Sequence, residues 1–245
     1  MIQLARAVRD ADKLERRREI LDAAERLFLA QPEGLASMDE LAQSAGVAKG
    51  TLYLYFPSKE EVLLALHERG VHELFDEIDK AIEKEADRFT RADLSALARR
   101  LIIESPIYLP LATQVISSIG RSIPVESVVR FHLSIHERVA RSGTALERIF
   151  GLPPGDGARL LEYSHAFVVG LWQLSGCGRI LADNVEQTHP DLMHMVKDDP
   201  AEIQRALEVL WQGMLTPPSA PSSSSPRRPK KNRRAASRSP RRHNH

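Results

Sequence analysis

Hydrophobic residues recur every three or four positions along much of this 245-residue chain, which is the spacing of one face of an α-helix. This pattern predicts helices over 12–30, about 38–45, 49–56 and 59–80. Further helices are predicted near 92–104, 107–119, 125–150, 156–176 and 200–215, with prolines between several of them. Because no segment shows a competing strand pattern, we expect an all-α fold.

Two of the short helices have sharp sequence signals at their ends. Ser37 followed by Glu40 is typical of a capping box, which predicts a helix that begins at Met38. Gly46 can adopt the positive φ of a tight turn, and Ser58 can cap the long helix that follows. Two short helices joined by a glycine turn, the second with a polar outer face, meet the requirements of a helix-turn-helix that reads the major groove of DNA.

The stretch SMDELAQSAGVAKGTLYLYFPSKE over 37–60 closely resembles the signature of the TetR (tetracycline-repressor-like) transcription regulators. By motif the resemblance covers about 13–75, whereas the remainder agrees with the family only in length and helical character. It implies a DNA-binding domain over 13–75, with its helix-turn-helix at 37–56, and a helical effector-binding and dimerisation domain over 76–216.

The resemblance also implies roles for individual residues. Positions matching Lys49, Gly50 and Thr51 approach base edges, and positions matching Ser37, Tyr53, Tyr55 and Lys59 contact phosphates. The residue types suit these roles, since Lys49 can donate to a guanine edge and the Thr51 methyl group can touch a thymine. Leu52 and Phe56 are expected in the core.

Two positions depart from the family pattern. Ala48 lies where the family commonly caps the recognition helix with Ser or Thr. Because alanine has no side-chain hydroxyl to cap the helix, the helix is expected to be less stable by about 1 kcal/mol. Leu54 is apolar where larger polar residues are common, so operator preference does not transfer. The nearby Arg16, Arg17 and Arg18 have two interpretations. They could form an N-terminal arm that contacts DNA, or they could lie on a solvated helix face and pair with neighbouring glutamates. We leave them outside the predicted site.

The rest of the chain is expected to dimerise and to bind an effector. Because half-sites are read by two-fold dimers, one recognition helix per chain implies a homodimer on a palindromic operator. The apolar helices over 156–176 and 203–211 suit a four-helix dimer bundle, and the alternative is that they close the core of one protomer. The resemblance implies a small apolar or amphipathic effector. Candidate polar anchors for it are Tyr108, His132, His136, Tyr163, His165 and Trp172, although such residues are more typical of satisfied interior or interfacial positions.

Charge is distributed unevenly along the chain. Of 34 Lys and Arg residues, nine lie in the acid-free stretch 217–245, which leaves 25 basic against 33 acidic residues in 1–216. This Pro-, Ser- and Arg-rich end is predicted to be a disordered basic tail. Its repeated Ser-Pro-Arg-Arg favours a weak, non-specific contribution to DNA affinity over a solubility role. A non-specific, architectural DNA-binding protein driven by this tail is therefore the alternative function.

Several other classes of function lack their sequence signals. The chain has no Gly-x-Ser-x-Gly elbow, phosphate loop, dinucleotide fingerprint or zinc-type spacing, so we expect neither an enzyme nor a cofactor. His132 and His136 lie one helical turn apart, but without a third nearby ligand we expect no metal site. A single cysteine, no signal peptide and no apolar run of about 20 residues indicate a cytoplasmic protein without a membrane span. Repression is favoured over activation because occupying an operator is sterically simple.

Overall fold

The computed structural model describes residues 2–31, 36–85, 88–185 and 200–215, and within these ranges it contains helices and no strands. The helices are α1 (Ile2–Ala30), α2 (Met38–Ser44), α3 (Lys49–Tyr55), α4 (Lys59–Glu85), α5 (Arg91–Ala98), α6 (Tyr108–Ser118), α7 (Val125–Phe150), α8 (Asp156–Val185) and α9 (Pro200–Met214). A π-helical turn, Arg99–Ile103, continues α5. The predicted all-α class is confirmed.

The short helices begin and end close to their predicted bounds, but three long helices were predicted too short. Helix α1 also includes residues 2–11, α4 continues from 80 to 85, and α8 continues from 176 to 185. In α4 the buried Ile82 extends the apolar face by one more turn. In α8 the helix passes through glycines near 176, which weaken a helix by only about 1 kcal/mol each. The predicted basic tail lies outside the described residues.

Capping residues and a glycine turn explain where α2, α3 and α4 begin. The Ser37 hydroxyl accepts the Glu40 amide N–H at 3.3 Å, and the Glu40 carboxylate accepts the Ser37 amide N–H at 2.8 Å, which completes the predicted capping box. The Glu40 carboxylate also accepts the Ser37 hydroxyl at 2.8 Å, and the bonds from the Ser37 amide and hydroxyl together lower the pKa of Glu40. Gly46 has a φ of +66°, so the turn between α2 and α3 uses a conformation that favours glycine. Ser58 accepts the Glu61 amide N–H at 3.2 Å.

The core is continuous from one end of the molecule to the other. Helices α1–α3 pack around Phe28, Leu41 and Leu52, and together they form the head. Helices α5–α9 form the body. Helix α4 begins against the head, contacts α1, and then continues into the body between α6 and α7. One helix therefore belongs to both parts of the protein. None of the helices in the described ranges has the length and apolar composition needed to span a bilayer.

Helices α7 and α8 cross at two glycines whose backbones touch. A Cβ atom at Gly157 would lie 2.0 Å from the Gly143 carbonyl oxygen, and one at Gly143 would lie 2.6 Å from the Ala158 nitrogen. The Glu147 carboxylate also accepts the amide N–H of Gly157 at 3.1 Å. Because no side chain fits between the two backbones, glycine is required at this crossing.

Part of the predicted dimer surface lies inside the protomer instead. The buried residues of α8 and α9 include Leu160, Val168, Ile203, Leu207 and Trp211. They face the body because its core needs one apolar face from each helix, so the sequence alone could not separate the inner face from an outer one. Among the described side chains of these helices, the large apolar ones that remain exposed are Tyr163, Leu174 and Val209.

Candidate nucleic-acid interface and ligand cavity

Helix α3 buries one face against the head and exposes the other. Leu52 and Phe56 are 0% and 2% exposed and anchor the helix, as expected. Lys49, Gly50 and Tyr53 are exposed. No atom lies within 4 Å of the position that a Cβ at Gly50 would take, so another molecule can approach the backbone closely here. Thr51 is half-buried. The predicted base-contacting residues therefore lie together in the first turn of α3.

The predicted phosphate contacts surround this turn from three helices. Ser37 lies at the start of α2, where its hydroxyl is engaged in the capping box. Tyr53 is exposed on α3, Tyr55 is half-buried against the core, and Lys59 is half-buried at the start of α4. Helix N-termini favour anions because their amide N–H groups point outward. The roles of these residues remain predictions.

Lys49 is held by an acidic residue that the sequence analysis did not single out. Its ammonium group lies 2.7 Å from the carboxylate of Asp39 on α2, and this contact raises the pKa of Lys49. Both side chains are more than half exposed, so the ion pair is weak and Lys49 can change partners at little cost. The two residues are ten apart across a turn, a separation that helical periodicity does not reveal.

The start of α3 has no side-chain cap. Ala48 has φ −67° and ψ 145°, the extended geometry of an N-cap residue, but makes no capping hydrogen bond.

The nearby arginines of α1 have the character of an ordinary helix face. Arg16 and Arg18 form i,i+3 ion pairs with glutamates, and the Arg17 guanidinium lies 5.1 Å from the centre of the Phe56 ring.

The body encloses a cavity of about 550 Å³ between α4, α6, α7, α8 and α9, with contributions from α5 and the π-helical turn. Its walls are largely apolar. Four of the six predicted effector anchors line it: Tyr108, His132, His136 and His165. The other two do not, since Tyr163 is 54% exposed and Trp172 is half-buried outside the lining. Exposed lining residues on α6 and α7, including Ile116 and His132, show that the cavity opens to the surface there.

A further polar residue, His67 of α4, borders the cavity and was missed in the sequence. It is 4% exposed, and its ring centre lies 5.7 Å from that of Tyr108 and 6.2 Å from that of His165. Burial lowers the pKa of His67 to about 3, with a smaller contribution from His165. His67 occupies a position on the apolar stripe of α4, one turn from Leu63 and from Val71, and that signal could have identified it.

Helix α4 is bound by polar contacts to both the head and the body. Arg69 donates to Asp22 at 2.5 Å and to Glu25 at 2.6 Å, both on α1. On other faces of α4, three carboxylates accept serine hydroxyls of α7. These pairs are Ser127 with Glu61 at 2.8 Å, Ser134 with Glu68 at 2.5 Å, and Ser142 with Asp79 at 2.6 Å. A displacement of α4 therefore changes contacts with α1 and α7 together.

No group of three or more His, Cys, Asp or Glu side chains converges on a possible metal position within the described part of the chain. A helix-turn-helix joined by a shared helix to a larger helical body defines a class of protein, the helix-turn-helix DNA-binding regulators.

Comparison with known proteins identifies the family within this class. The family model for bacterial regulatory proteins of the TetR family matches 20–66, and the model for the tetracycline repressor-like C-terminal domain matches 68–218. The chain therefore belongs to the TetR family of DNA-binding transcription regulators. The predicted boundary at 75 remains a prediction, since α4 passes through it without a break.

Among curated relatives, the chain is 41% identical over 73 residues to the HTH-type transcriptional regulator EthR of Mycobacterium tuberculosis. The matched segment covers 30% of this chain and 34% of EthR. The chain is 39% identical over 77 residues to the HTH-type transcriptional activator FasR of Mycolicibacterium smegmatis, 31% of this chain and 35% of FasR. The chain thus spans about a third of the length of these relatives. A possible TetR family regulator from Streptomyces coelicolor A3(2) shares the fold, with a TM-score of 0.50 and 22% identity over 81% of this chain and 98% of that one.

Proposed function

We propose that this protein is a homodimeric repressor that binds a palindromic operator through α2 and α3. A small apolar or amphipathic molecule that occupies the body cavity would release it from DNA. The observation that carries this proposal is that α4 belongs to both sites. His67 and Val71 on α4 line the cavity, and Arg69, between them in sequence, binds α1 of the head.

On the DNA side, Lys49, Gly50 and Thr51 would face base edges in the major groove. Lys49 would exchange Asp39 for a guanine edge, which is inexpensive because the ion pair is exposed. Ser37, Tyr53, Tyr55 and Lys59 would contact phosphates and fix the register of α3.

Dimerisation would place two α3 helices on successive half-sites, about one helical turn of DNA apart. The outer faces of α8 and α9 suit this role, since they present Tyr163, Leu174 and Val209 to the surface. Packing these faces against a second copy would form a four-helix interface around a two-fold axis.

Release would follow from a change in the position of α4. A ligand shifts the protein toward the conformation that binds it more tightly, by as much as its two affinities differ. A ligand seated against α4 that favours a displaced helix would carry α1, through Arg69, away from the position that α3 needs on the operator.

The proposal is tested by selecting genomic DNA fragments with the purified protein at near-physiological salt. We expect enrichment of one palindrome, bound about 10³-fold or more tightly than random DNA. Tyr53→Ala should weaken binding to all sequences, whereas Lys49→Ala should relax the base preference at one position of each half-site. Lys80→Ala is the matched control, because Lys80 is an exposed lysine on the body part of α4.

The alternative function gives a different result in the same experiment. If the basic tail drives binding, no sequence is enriched and affinity falls with salt equally on every fragment. Truncation after Thr216 would then abolish binding. For a specific repressor, the truncated protein should keep its palindrome with a modest loss of affinity.

A further inference from the structure

The deep end of the cavity contains three polar rings contributed by three helices. They are His67 of α4, Tyr108 of α6 and His165 of α8, with ring centres between 5.7 and 6.2 Å apart. The Tyr108 hydroxyl lies 3.4 Å from Nδ1 of His165, a long contact that leaves hydrogen-bonding capacity in both groups. The other polar pair in the lining is already satisfied, since the Trp211 indole N–H donates to the Ser164 hydroxyl at 2.6 Å.

His67 is the member of this cluster that forms no hydrogen bond with the described residues. Within the described residues, neither of its ring nitrogens has a hydrogen-bond partner, although the residue is only 4% exposed. Buried polar groups are almost always hydrogen-bonded, and a neutral imidazole needs one donor and one acceptor. Because the ring borders the cavity, a partner for it can come from a molecule inside the cavity.

The deep end of the cavity carries no formal charge near neutral pH. Burial lowers the pKa of His67 to about 3, lowers the pKa of His165, and raises the pKa of Tyr108, so all three rings are neutral. Among the described residues, the lining contains no Lys or Arg, and its one acidic residue, Glu162, is exposed. A carboxylate placed beside His67 would lose its hydration without gaining a cation, which is strongly unfavourable.

We infer that the cavity takes an uncharged, largely apolar molecule whose single polar group, a hydroxyl or an amide, hydrogen-bonds to His67 between Tyr108 and His165. Both groups can donate and accept, so either can pair with the ring nitrogen of His67 that faces the cavity, whichever tautomer is present. The volume of about 550 Å³ lies within the range of small-molecule sites, and the apolar walls suit the rest of the ligand. This inference rests on the proposal that the cavity is the effector site.

The test is a titration of the full-length protein, without DNA, at pH 7.5. Binding is followed by tryptophan fluorescence, because Trp211 lines the cavity. The probes are 1-decanol, decanamide, decanoate and 1-chlorodecane, which share a chain and differ in their polar end. We expect 1-decanol and decanamide to bind at least tenfold more tightly than decanoate. Equal or tighter binding of decanoate, or no binding of any probe, would overturn the inference.

A variant then assigns the preference to His67. His67→Phe should weaken 1-decanol and decanamide about tenfold, the effect of one net hydrogen bond, and should change 1-chlorodecane less than twofold. His72→Phe, a matched substitution on α4 at a half-buried position outside the cavity lining, should leave the ratio of 1-decanol to decanoate unchanged. If His67→Phe weakens 1-chlorodecane as much as 1-decanol, His67 has only a structural role and the inference is wrong. Since no DNA is present, failure of operator selection would leave these results standing.

Discussion

The contact between Gly143 of α7 and Gly157 of α8 gives a prediction in which one substitution has opposite effects at two sites. Replacing glycine by alanine in a helix interior normally stabilises a protein by about 0.5–1 kcal/mol, because alanine loses less backbone entropy on folding. At Gly70, in the interior of α4, no atom lies within 4 Å of the position that a Cβ would take, so Gly70→Ala should show this gain.

Gly143→Ala should reverse the sign. The new Cβ would lie 2.6 Å from the Ala158 nitrogen and 2.9 Å from its Cα, both backbone atoms that cannot rotate away. Forcing an extra carbon into a packed contact costs about 1–3 kcal/mol, and a backbone obstacle favours the upper part of that range. After subtraction of the helix-propensity gain, we expect a net destabilisation of about 1–2 kcal/mol.

The assay is urea unfolding followed by circular dichroism, at one protomer concentration because the proposed dimerisation would contribute to stability. The two variants should differ by about 2–3 kcal/mol in the free energy of unfolding, and their melting temperatures should move in opposite directions by a few degrees. If Gly143→Ala is as stable as Gly70→Ala, the α7–α8 crossing tolerates a side chain and the packing described here is wrong.

Three further predictions concern the head and the cavity. Ala48→Ser should supply the missing cap of α3 and stabilise the protein by about 1 kcal/mol in the same unfolding assay, and an unchanged midpoint would contradict the cap geometry. The pKa of His67 is about 3 in the folded protein and 6.5 in the unfolded chain. As the pH falls below 6.5, the unfolded chain therefore binds a proton that the folded protein does not, and the free energy of unfolding decreases. Between pH 7 and 5 this amounts to about 2 kcal/mol, and His67→Phe should remove that part of the pH dependence; an identical slope would refute the assignment. Arg69→Ala removes both ion pairs between α4 and α1, so it should destabilise the protein by about 1–2 kcal/mol and accelerate amide hydrogen exchange in α1 more than in α7. The control is Arg100→Ala, which breaks an exposed ion pair and should change neither the stability nor the exchange.

The head follows closely from the sequence because its determinants are local. The capping box of Ser37 acts over three residues, the Gly46 turn over two, and the spacing that buries Leu52 and Phe56 over one helical turn. Such short-range effects can be deduced without knowledge of the rest of the fold. The same local signals predicted which residues share the first turn of α3, and only their contacts with DNA remain untested.

The cavity depends on contacts that no local pattern encodes. His67, Tyr108 and His165 lie 41 and 57 residues apart in sequence and are brought together by three helices. Only that convergence leaves His67 neutral and without a hydrogen bond from the described residues. The sequence also could not show that Tyr163 would point outward while His165, two residues later, lines the cavity. Helical periodicity defines an apolar face, but which neighbour covers that face is decided by packing.

The sequence by itself therefore determined the all-α class, the helix-turn-helix and the exposed turn that carries Lys49, since each follows from interactions within a few residues of the chain. Only the tertiary structure decided the pairing of Lys49 with Asp39, the glycine contact between α7 and α8, and the neutral polar cluster in the cavity. The physical reason is that these features arise where distant segments meet, and the energies of such contacts depend on geometry that only the packed chain provides.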